Sequence, residues 1–257
     1  MMENTKRVIA GPFAVESQEQ VWETIDQAKL LCITMTRLNL WKPRTEPGFE
    51  GVGEAGIPWV QEAAEAGLDI AMEVLNAKQL ELLVENIVHQ FPHAHLLAWI
   101  GSRNQNHEIQ QQIGAVGASE PRVSIMVKNQ MWPDIRHWKG IVSHLKHMGM
   151  PDDRLLLCHR GFALEDNKPL RNTPNWKMAH QIQEDLGLPM LVDPSHIGGR
   201  QDLVMQIAQE AALEDFDGQI VEVHPDPWNA RTDAPQQLDW DQMTELLPVL
   251  TTQVIRR

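Results

Sequence analysis

Residues 122–160, RVSIMVKNQMWPDIRHWKGIVSHLKHMGMPDDRLLLCHR, decide the fold class of this chain. They begin and end with short apolar runs, RVSIMVK at 122–128 and RLLLCHR at 154–160. Neither run alternates apolar with polar residues, which is typical of parallel strands covered on both faces. Between them, 134–148 carries apolar residues at helical spacing and stops at Gly149. The stretch therefore predicts a strand, a crossover helix and a second, parallel strand.

The same unit recurs along the chain, with further helical patterns at 17–28, 76–90, 175–186, 202–213 and 239–250. Ser17 and Gln20 form a capping-box pattern at the first of these. Eight βα units in about 250 residues match a closed (β/α)8 TIM barrel, as a single domain over 1–257. A doubly wound open sheet is the alternative that periodicity leaves open. The predicted strands are 7–11, 31–37, 68–74, 95–101, 122–128, 154–160, 189–194 and 219–224.

The composition argues against several classes of protein. A net charge of −13 disfavours non-specific nucleic-acid binding and an anionic membrane as partners. The two cysteines, Cys32 and Cys158, are too few for a disulfide framework, which favours a reducing compartment. The sequence shows neither a bilayer-spanning apolar stretch nor a signal-peptide pattern at its start. We therefore expect a cytoplasmic protein.

Cationic side chains follow the predicted strands, in contrast to the acidic chain as a whole. In a barrel these positions meet at one mouth, where phosphate and carboxylate groups are the natural counter-ions. The alternative is that each cation is a separate surface or salt-bridged residue. The cations concerned are Arg37, Lys42, Arg44, Arg103, Lys128 and Arg160.

A second cluster combines a histidine with two carboxylates. His196 follows strand 7, and Glu222 and Asp233 lie at and after the end of strand 8. Such a set suits a divalent cation such as Mn²⁺, Fe²⁺ or Zn²⁺. Ordinary structural ion pairing accounts for the spacing equally well.

Nine short motifs, in order, resemble the 3-deoxy-D-arabino-heptulosonate 7-phosphate (DAHP) synthases, nearest the branch found fused to a chorismate mutase. The resemblance covers about residues 8 to 250 and implies a (β/α)8 barrel. It also implies a transferase of the shikimate pathway, which leads to the aromatic amino acids. This enzyme joins C3 of phosphoenolpyruvate to the aldehyde of erythrose 4-phosphate and releases phosphate. The motifs are IAGPFAVESQEQ, WKPRTEPGFEGVG, WIGSRNQN, VKN, CHRGF, RNTPNW, DPSHIGG, EVHPDP and TDAPQQL.

The resemblance also assigns roles to single residues. Arg37 and Lys42 match the site for the phosphoenolpyruvate carboxylate, and Arg103, Lys128 and Arg160 match its phosphate clamp. Arg44 and Thr45 match contacts to the phosphosugar. His196, Glu222 and Asp233 match three of the family's four metal ligands. Lys42, as a proton donor, and His196, through the metal, are then the catalytic residues.

The chain departs from the family pattern at several positions. Phe13 stands where the family has its fourth metal ligand, a cysteine, and a phenyl ring cannot coordinate an ion. Arg37-Leu38-Asn39 replaces a pattern with two small residues, and the KPRT loop is one residue shorter. We therefore expect a divalent metal, Mn²⁺ in first place, that binds weakly or not at all.

Two functional interpretations follow from these departures. One is an active synthase with altered metal dependence. The other is a catalytically impaired paralogue that binds phosphoenolpyruvate-like anions as a binding or regulatory subunit. In either case we expect a homo-oligomer. Because 257 residues leave no room for a fused regulatory domain, we expect feedback control to come through another chain, with a separate chorismate mutase or synthase as a partner.

Overall fold

The protein forms a closed barrel of eight parallel strands in a computed structural model that describes residues 6–42 and 48–252. Neighbouring strands pair in sequence order, and β1 pairs with both β2 and β8, which closes the barrel and excludes the open sheet. The strands are β1 (Arg7–Gly11), β2 (Met35–Arg37), β3 (Asp69–Glu73), β4 (Leu96–Ile100), β5 (Val123–Lys128), β6 (Leu155–His159), β7 (Met190–Val192) and β8 (Gly218–Glu222).

Helices cover the outside of the barrel. The predicted strand at 31–37 is shorter in the structure because the chain turns through Cys32, at φ 55°, before β2 begins. Within the described ranges the α-helices are α1 (Gln18–Leu30), α2 (Ile57–Glu65), α3 (Ala77–Leu83), α4 (His107–Ser119), α5 (Ile135–His147), α6 (Trp176–Leu186), α7 (Pro194–Gly198), α8 (Gln201–Leu213) and α9 (Trp240–Thr251).

Three of these helices, α2, α4 and α7, were not identified from the sequence, and the predicted capping box of α1 is only half formed. The α4 helix carries Gly114 and Gly117 on its buried face, so its apolar periodicity is weak. At α1, the hydroxyl of Ser17 accepts from the Gln20 backbone N–H at 3.2 Å. The Gln20 side chain accepts from the Glu16 N–H instead of closing back on Ser17.

Apolar side chains fill both the layer between strands and helices and the inside of the barrel. The interior holds Trp99, Met126 and Ile220 together with other buried residues, so the barrel is a packed core. A ligand can therefore reach the strands only at their ends. No helix in 6–42 or 48–252 is both long and apolar enough to cross a membrane.

Candidate functional site

A cavity of about 270 Å³ lies at the carboxyl ends of the strands. Strands that end at this cavity contribute their last residue, or a residue that follows it, to the cavity lining. Residues that are distant in sequence therefore meet there. Of the cations predicted after strands 2, 4, 5 and 6, those in the described residues line this cavity, together with a further arginine. Its lining residues include Arg37, Lys42, Arg103, Lys128, Arg160 and Arg171 among the cations, and Glu73 and Asp233 among the carboxylates.

The protein's own carboxylates neutralise part of this positive charge. Lys128 Nζ lies 2.6 Å from Asp193 Oδ2, and both side chains are buried. Arg37 Nη1 lies 3.4 Å from Glu222 Oε1, also in the buried interior. For Lys128 and Arg37 the salt-bridged alternative therefore holds, and protein carboxylates supply counter-charge.

Arg160 differs from these paired cations. It is 1 % exposed, yet within the described ranges its guanidinium makes one hydrogen bond, to the sulfur of Met131 at 3.4 Å, and no ion pair. Burial lowers the pKa of Arg160 to about 10. A buried, unpaired guanidinium is unfavourable without an anion. The position next to Arg160 is therefore the best place in the cavity for a phosphate or carboxylate.

Residues of β3 and β4 also line the cavity. The ring of Trp99 lies 5.3 Å from the Arg37 guanidinium carbon and 4.9 Å from Lys128 Nζ, so its π face stabilises both cations. Burial raises the pKa of the Glu73 carboxyl, although the nearby cations Lys128, Arg37 and Arg103 oppose the shift. Arg103 itself reaches the cavity from an exposed position.

A group of metal-ligating side chains lies beside the cations. Asp193, His196 and Glu222 each offer a ligand atom, and these atoms all lie within 4.8 Å of one another. His196 Nδ1 is 2.9 Å from Asp193 Oδ2 and 3.2 Å from Glu222 Oε1. Asp193 was not among the predicted ligands, which combined His196 and Glu222 with Asp233.

The chemistry of this group fits a divalent cation. Burial lowers the pKa of His196 to about 3, so the imidazole is neutral and keeps a lone pair. Burial also raises the pKa of Glu222 to about 7. Within the described residues, the contacts of the buried atoms His196 Nδ1 and Glu222 Oε1 are the ion-pair contacts with Asp193, Arg37 and each other, at 2.9–3.4 Å. A neutral imidazole between two carboxyl groups is a donor set that a metal ion satisfies.

Asp233, the third predicted ligand, lies on the same cavity but is held by cations. Its carboxylate contacts Lys42 Nζ at 3.0 Å and Arg171 Nη1 at 3.3 Å. Burial raises its pKa, but Arg171 and Lys42 outweigh this and leave the pKa below its ordinary value. Its backbone adopts φ 49°, a left-handed conformation that is uncommon outside glycine.

Gln236 links this pair to the metal-ligating group. Its amide N–H donates to Glu222 Oε2 at 2.7 Å, and its oxygen accepts from Arg171. Neither Gln236 nor Arg171 was singled out from the sequence. Both stand in the quoted motifs TDAPQQL and RNTPNW, which were the only signal for them.

Phe13 and the residues after β2 differ in their relation to the cavity. Phe13 lines the cavity, and its backbone is fixed by a bond from its N–H to Gln237 and one from Asn39 Nδ2 to its oxygen. Leu38 is buried in the outer core, and Asn39 also accepts from the Glu73 N–H. Among the described residues that line the cavity, Leu38 and Asn39 do not occur. Asn39 therefore borders the cavity through its bonds to Phe13 and Glu73 without lining it.

The predicted phosphosugar contacts Arg44 and Thr45 lie outside the described residues, as does most of the shortened KPRT loop. Their assignment stays a prediction. The described part of the loop ends at Lys42 and resumes at residue 48.

Comparisons with known proteins agree with the barrel fold. The profile of the DAHP synthetase I family matches residues 2–255. Phospho-2-dehydro-3-deoxyheptonate aldolase of Thermotoga maritima is 33% identical over 243 residues, which cover 93% of this chain and 67% of that protein. A 2-dehydro-3-deoxyphosphooctonate aldolase of Aromatoleum aromaticum is 25% identical over 258 residues, covering 95% of this chain and 88% of that protein.

Solved structures give the same result. The crystal structure of the Thermotoga maritima aldolase (DAHP synthase) has a TM-score of 0.83 at 32% identity, covering 95% of this chain and 67% of that one. A truncated form of the DAHP synthase from the same organism has a TM-score of 0.80 at 31% identity. It is matched over 95% of this chain and 84% of its own.

Proposed function

The chain belongs to the DAHP synthetase I family, and from this membership we propose that it is a 3-deoxy-7-phosphoheptulonate synthase. As a transferase it condenses phosphoenolpyruvate with erythrose 4-phosphate, the first step of the shikimate pathway. The observation that carries this proposal is the cation-lined cavity with the unpaired, buried Arg160 at its base. Phosphoenolpyruvate brings a phosphate and a carboxylate, and both are ligands that guanidinium and ammonium groups bind.

In this proposal the cavity binds phosphoenolpyruvate by its two charged ends. Arg103, Lys128 and Arg160 hold the phosphate, and Arg37 with Lys42 holds the carboxylate. The ion pairs of Lys128 and Arg37 with buried carboxylates support this, because they fix each cation before the substrate arrives. Fixed cations need little reorganisation as charge moves during the reaction.

The second substrate then lies towards Lys42 and the metal-ligating group. The C2–C3 π electrons of phosphoenolpyruvate form the bond from C3 to the aldehyde carbon, and Lys42 donates a proton to the aldehyde oxygen. Water then adds to the electron-deficient C2, and phosphate leaves as its bond to C2 breaks. A bound divalent ion supplies Lewis-acid polarisation of that oxygen. Arg44 and Thr45 bind the phosphate of the sugar in this arrangement.

We propose that the ion is Mn²⁺, held by His196, Glu222 and Asp233, with Asp193 as the neighbouring carboxylate that orients His196. Carboxylate and imidazole donors without a thiolate suit Mn²⁺ better than softer ions. Phe13 occupies the family's cysteine position in this proposal and adds no donor. The metal is therefore bound weakly.

The test is phosphate release from phosphoenolpyruvate with purified protein, with and without erythrose 4-phosphate. Each assay is run with added Mn²⁺ and again with a chelator. Release that needs both substrates supports the synthase. The absence of release at any Mn²⁺ concentration, in a folded protein that binds phosphoenolpyruvate, contradicts it.

The catalytically impaired paralogue is the second candidate, and Phe13 is the observation that favours it, because its ring lines the cavity without offering a donor. This candidate predicts phosphoenolpyruvate binding without turnover. A thermal shift with phosphoenolpyruvate, combined with the phosphate assay, separates the two candidates.

The remaining proposals concern the assembly. We propose a homo-oligomer and a separate chorismate mutase or synthase chain as partner. Light scattering of the pure protein tests the first. Co-purification with such a chain, followed by synthase assays with the pair and with each chain alone, tests the second.

A further inference from the structure

Phe13 makes contacts in the cavity that packing alone does not require. The face of its ring lies 4.2 Å from Lys42 Nζ, measured to the ring centroid. The Arg37 guanidinium carbon is 5.6 Å from the same centroid, and the His196 ring centre is 5.9 Å away. The ring is 7 % exposed. A π face that close to an ammonium group, and largely shielded from water, attracts it electrostatically.

Lys42 is thereby held by two contacts. Its ammonium group lies over the ring of Phe13 and 3.0 Å from the carboxylate of Asp233. A lysine side chain has four rotatable carbon–carbon bonds, and fixing it costs conformational entropy. Two contacts made at the same time reduce the number of positions that Nζ can take.

We propose that Phe13 is a positioning residue that holds the Lys42 ammonium group at the aldehyde end of the cavity by a cation–π contact. This inference rests on the proposed function for the role of Lys42, but the contact itself does not depend on catalysis. In this proposal Phe13, which stands at the family's metal-ligand position, instead holds the proton donor Lys42 in place.

The backbone around Phe13 supports this reading of its ring. The N–H of Phe13 donates to Gln237 Oε1 at 2.8 Å, and its oxygen accepts from Asn39 Nδ2 at 2.6 Å. Both partners are buried, so the residue is anchored on each side of its α-carbon. The ring therefore has a fixed origin from which it contacts Lys42.

The test measures how fast Lys42 reacts with an amine-modifying N-hydroxysuccinimide ester, read by peptide mass spectrometry. Exposed Lys29 serves as the internal reference in each sample. The variants are Phe13→Leu, which removes the π face, and Phe13→Tyr, which keeps it. Phe216→Leu is the matched control, because Phe216 is equally buried but packs on His180 and Trp176, remote from the cavity.

We expect Phe13→Leu to increase the labelling rate of Lys42 relative to Lys29. Cation–π contacts correspond to about a 2-fold to 30-fold change in an equilibrium constant, and the increase should fall in that range. Phe13→Tyr should restore the slow rate, and Phe216→Leu should leave it unchanged. If Phe13→Leu does not fold in a thermal melt, Phe13→Met takes its place, since it keeps the volume and lacks the ring.

Three results overturn the inference: unchanged Lys42 labelling in the leucine or methionine variant, an equal increase in Phe216→Leu, or no restoration by Phe13→Tyr. Labelling needs no substrate, so its outcome is independent of the phosphate-release assay. A wild-type protein without synthase activity refutes the proposed function and leaves the labelling result standing. With an active protein, the inference further predicts a fall in kcat for Phe13→Leu that Phe13→Tyr reverses.

Discussion

Replacing Arg160 with methionine should stabilise the ligand-free protein and remove its response to phosphoenolpyruvate. Burial lowers the pKa of this guanidinium from 12.5 to about 10. At about 1.4 kcal/mol for each tenfold change in affinity for the proton, keeping the buried group charged costs on the order of 3 kcal/mol. Methionine fills a similar volume without a charge, so Arg160→Met avoids this cost.

We expect the free energy of unfolding to rise by about 1–3 kcal/mol in Arg160→Met without ligand, by analogy with other buried charges replaced by apolar residues. At roughly 2–4 °C per kcal/mol for a chain of this size, the melting temperature rises by several degrees. In the wild type, phosphoenolpyruvate at 100 times its Kd adds about 2.7 kcal/mol. Arg160→Met should lose most of that increase, because the phosphate then lacks its buried partner.

The assay is thermal and urea unfolding of both proteins with and without millimolar phosphoenolpyruvate. Arg154→Met is the matched control, since Arg154 is a half-buried arginine away from the cavity that is fully engaged by backbone carbonyls. Its loss should lower stability by about 1–3 kcal/mol, because buried acceptors lose their donor, and should leave the ligand response intact. The acceptors are the backbone oxygens of Gly117, Ala118, Glu120 and Val123.

The reasoning is refuted if Arg160→Met is less stable than the wild type by more than about 1 kcal/mol while its phosphoenolpyruvate response is unchanged. That result would mean that Arg160 is a structural residue whose charge is well compensated in the free protein. The anion would then bind elsewhere in the cavity.

Three further predictions concern other parts of the molecule. Phe13→Cys should raise Zn²⁺ affinity by on the order of 10-fold or more by adding a thiolate, as measured by metal titration; tight stoichiometric metal in the wild type would contradict it. Burial, and to a smaller extent two neighbouring histidines, lowers the pKa of His144 below its unfolded value of 6.5. The free energy of unfolding should therefore fall as the pH drops below 6.5. Urea unfolding at pH 5.5 and 8 should show a smaller pH difference in His144→Gln, and an equal difference would be the contrary result. Gly101→Ala should remove most of the phosphoenolpyruvate thermal shift, because an added Cβ collides with Glu73 Oε1 and must displace it; a full shift would show that Glu73 moves aside freely.

Local sequence was enough to identify the repeated unit and the end of it that carries chemistry. Continuous apolar runs such as 122–128 and 154–160 follow directly from strands buried on both faces, and each of the eight predicted runs overlaps a strand. Residues that follow parallel strands meet at one edge. The side chains of Arg37, Lys128 and Arg160 therefore lie together as the spacing predicts. Their roles in binding remain predictions.

Where apolar periodicity is weak, the sequence pattern failed. The α4 helix packs glycines against its neighbour, and an added Cβ at Gly114 would contact Leu145 of α5 at 3.1 Å. Glycine has no side chain, so a helix that packs closely through glycines shows no regular stripe of apolar residues in its sequence. The helix is instead stabilised by a partner that only the folded chain supplies.

Closure of the barrel and the pairing of its charges were decided by tertiary structure alone. Pairing of β1 with β8 joins residues about 210 positions apart, and no local pattern distinguishes it from an open sheet. The same holds within the site, where Lys128 pairs with Asp193 and Phe13 packs on Lys42. Residue type and position after a strand determine which groups reach the mouth, because they follow from chain direction and side-chain alternation. Which of those groups then contact one another depends on side-chain rotamers and on the stagger between strands, and these are fixed only once the whole barrel has packed.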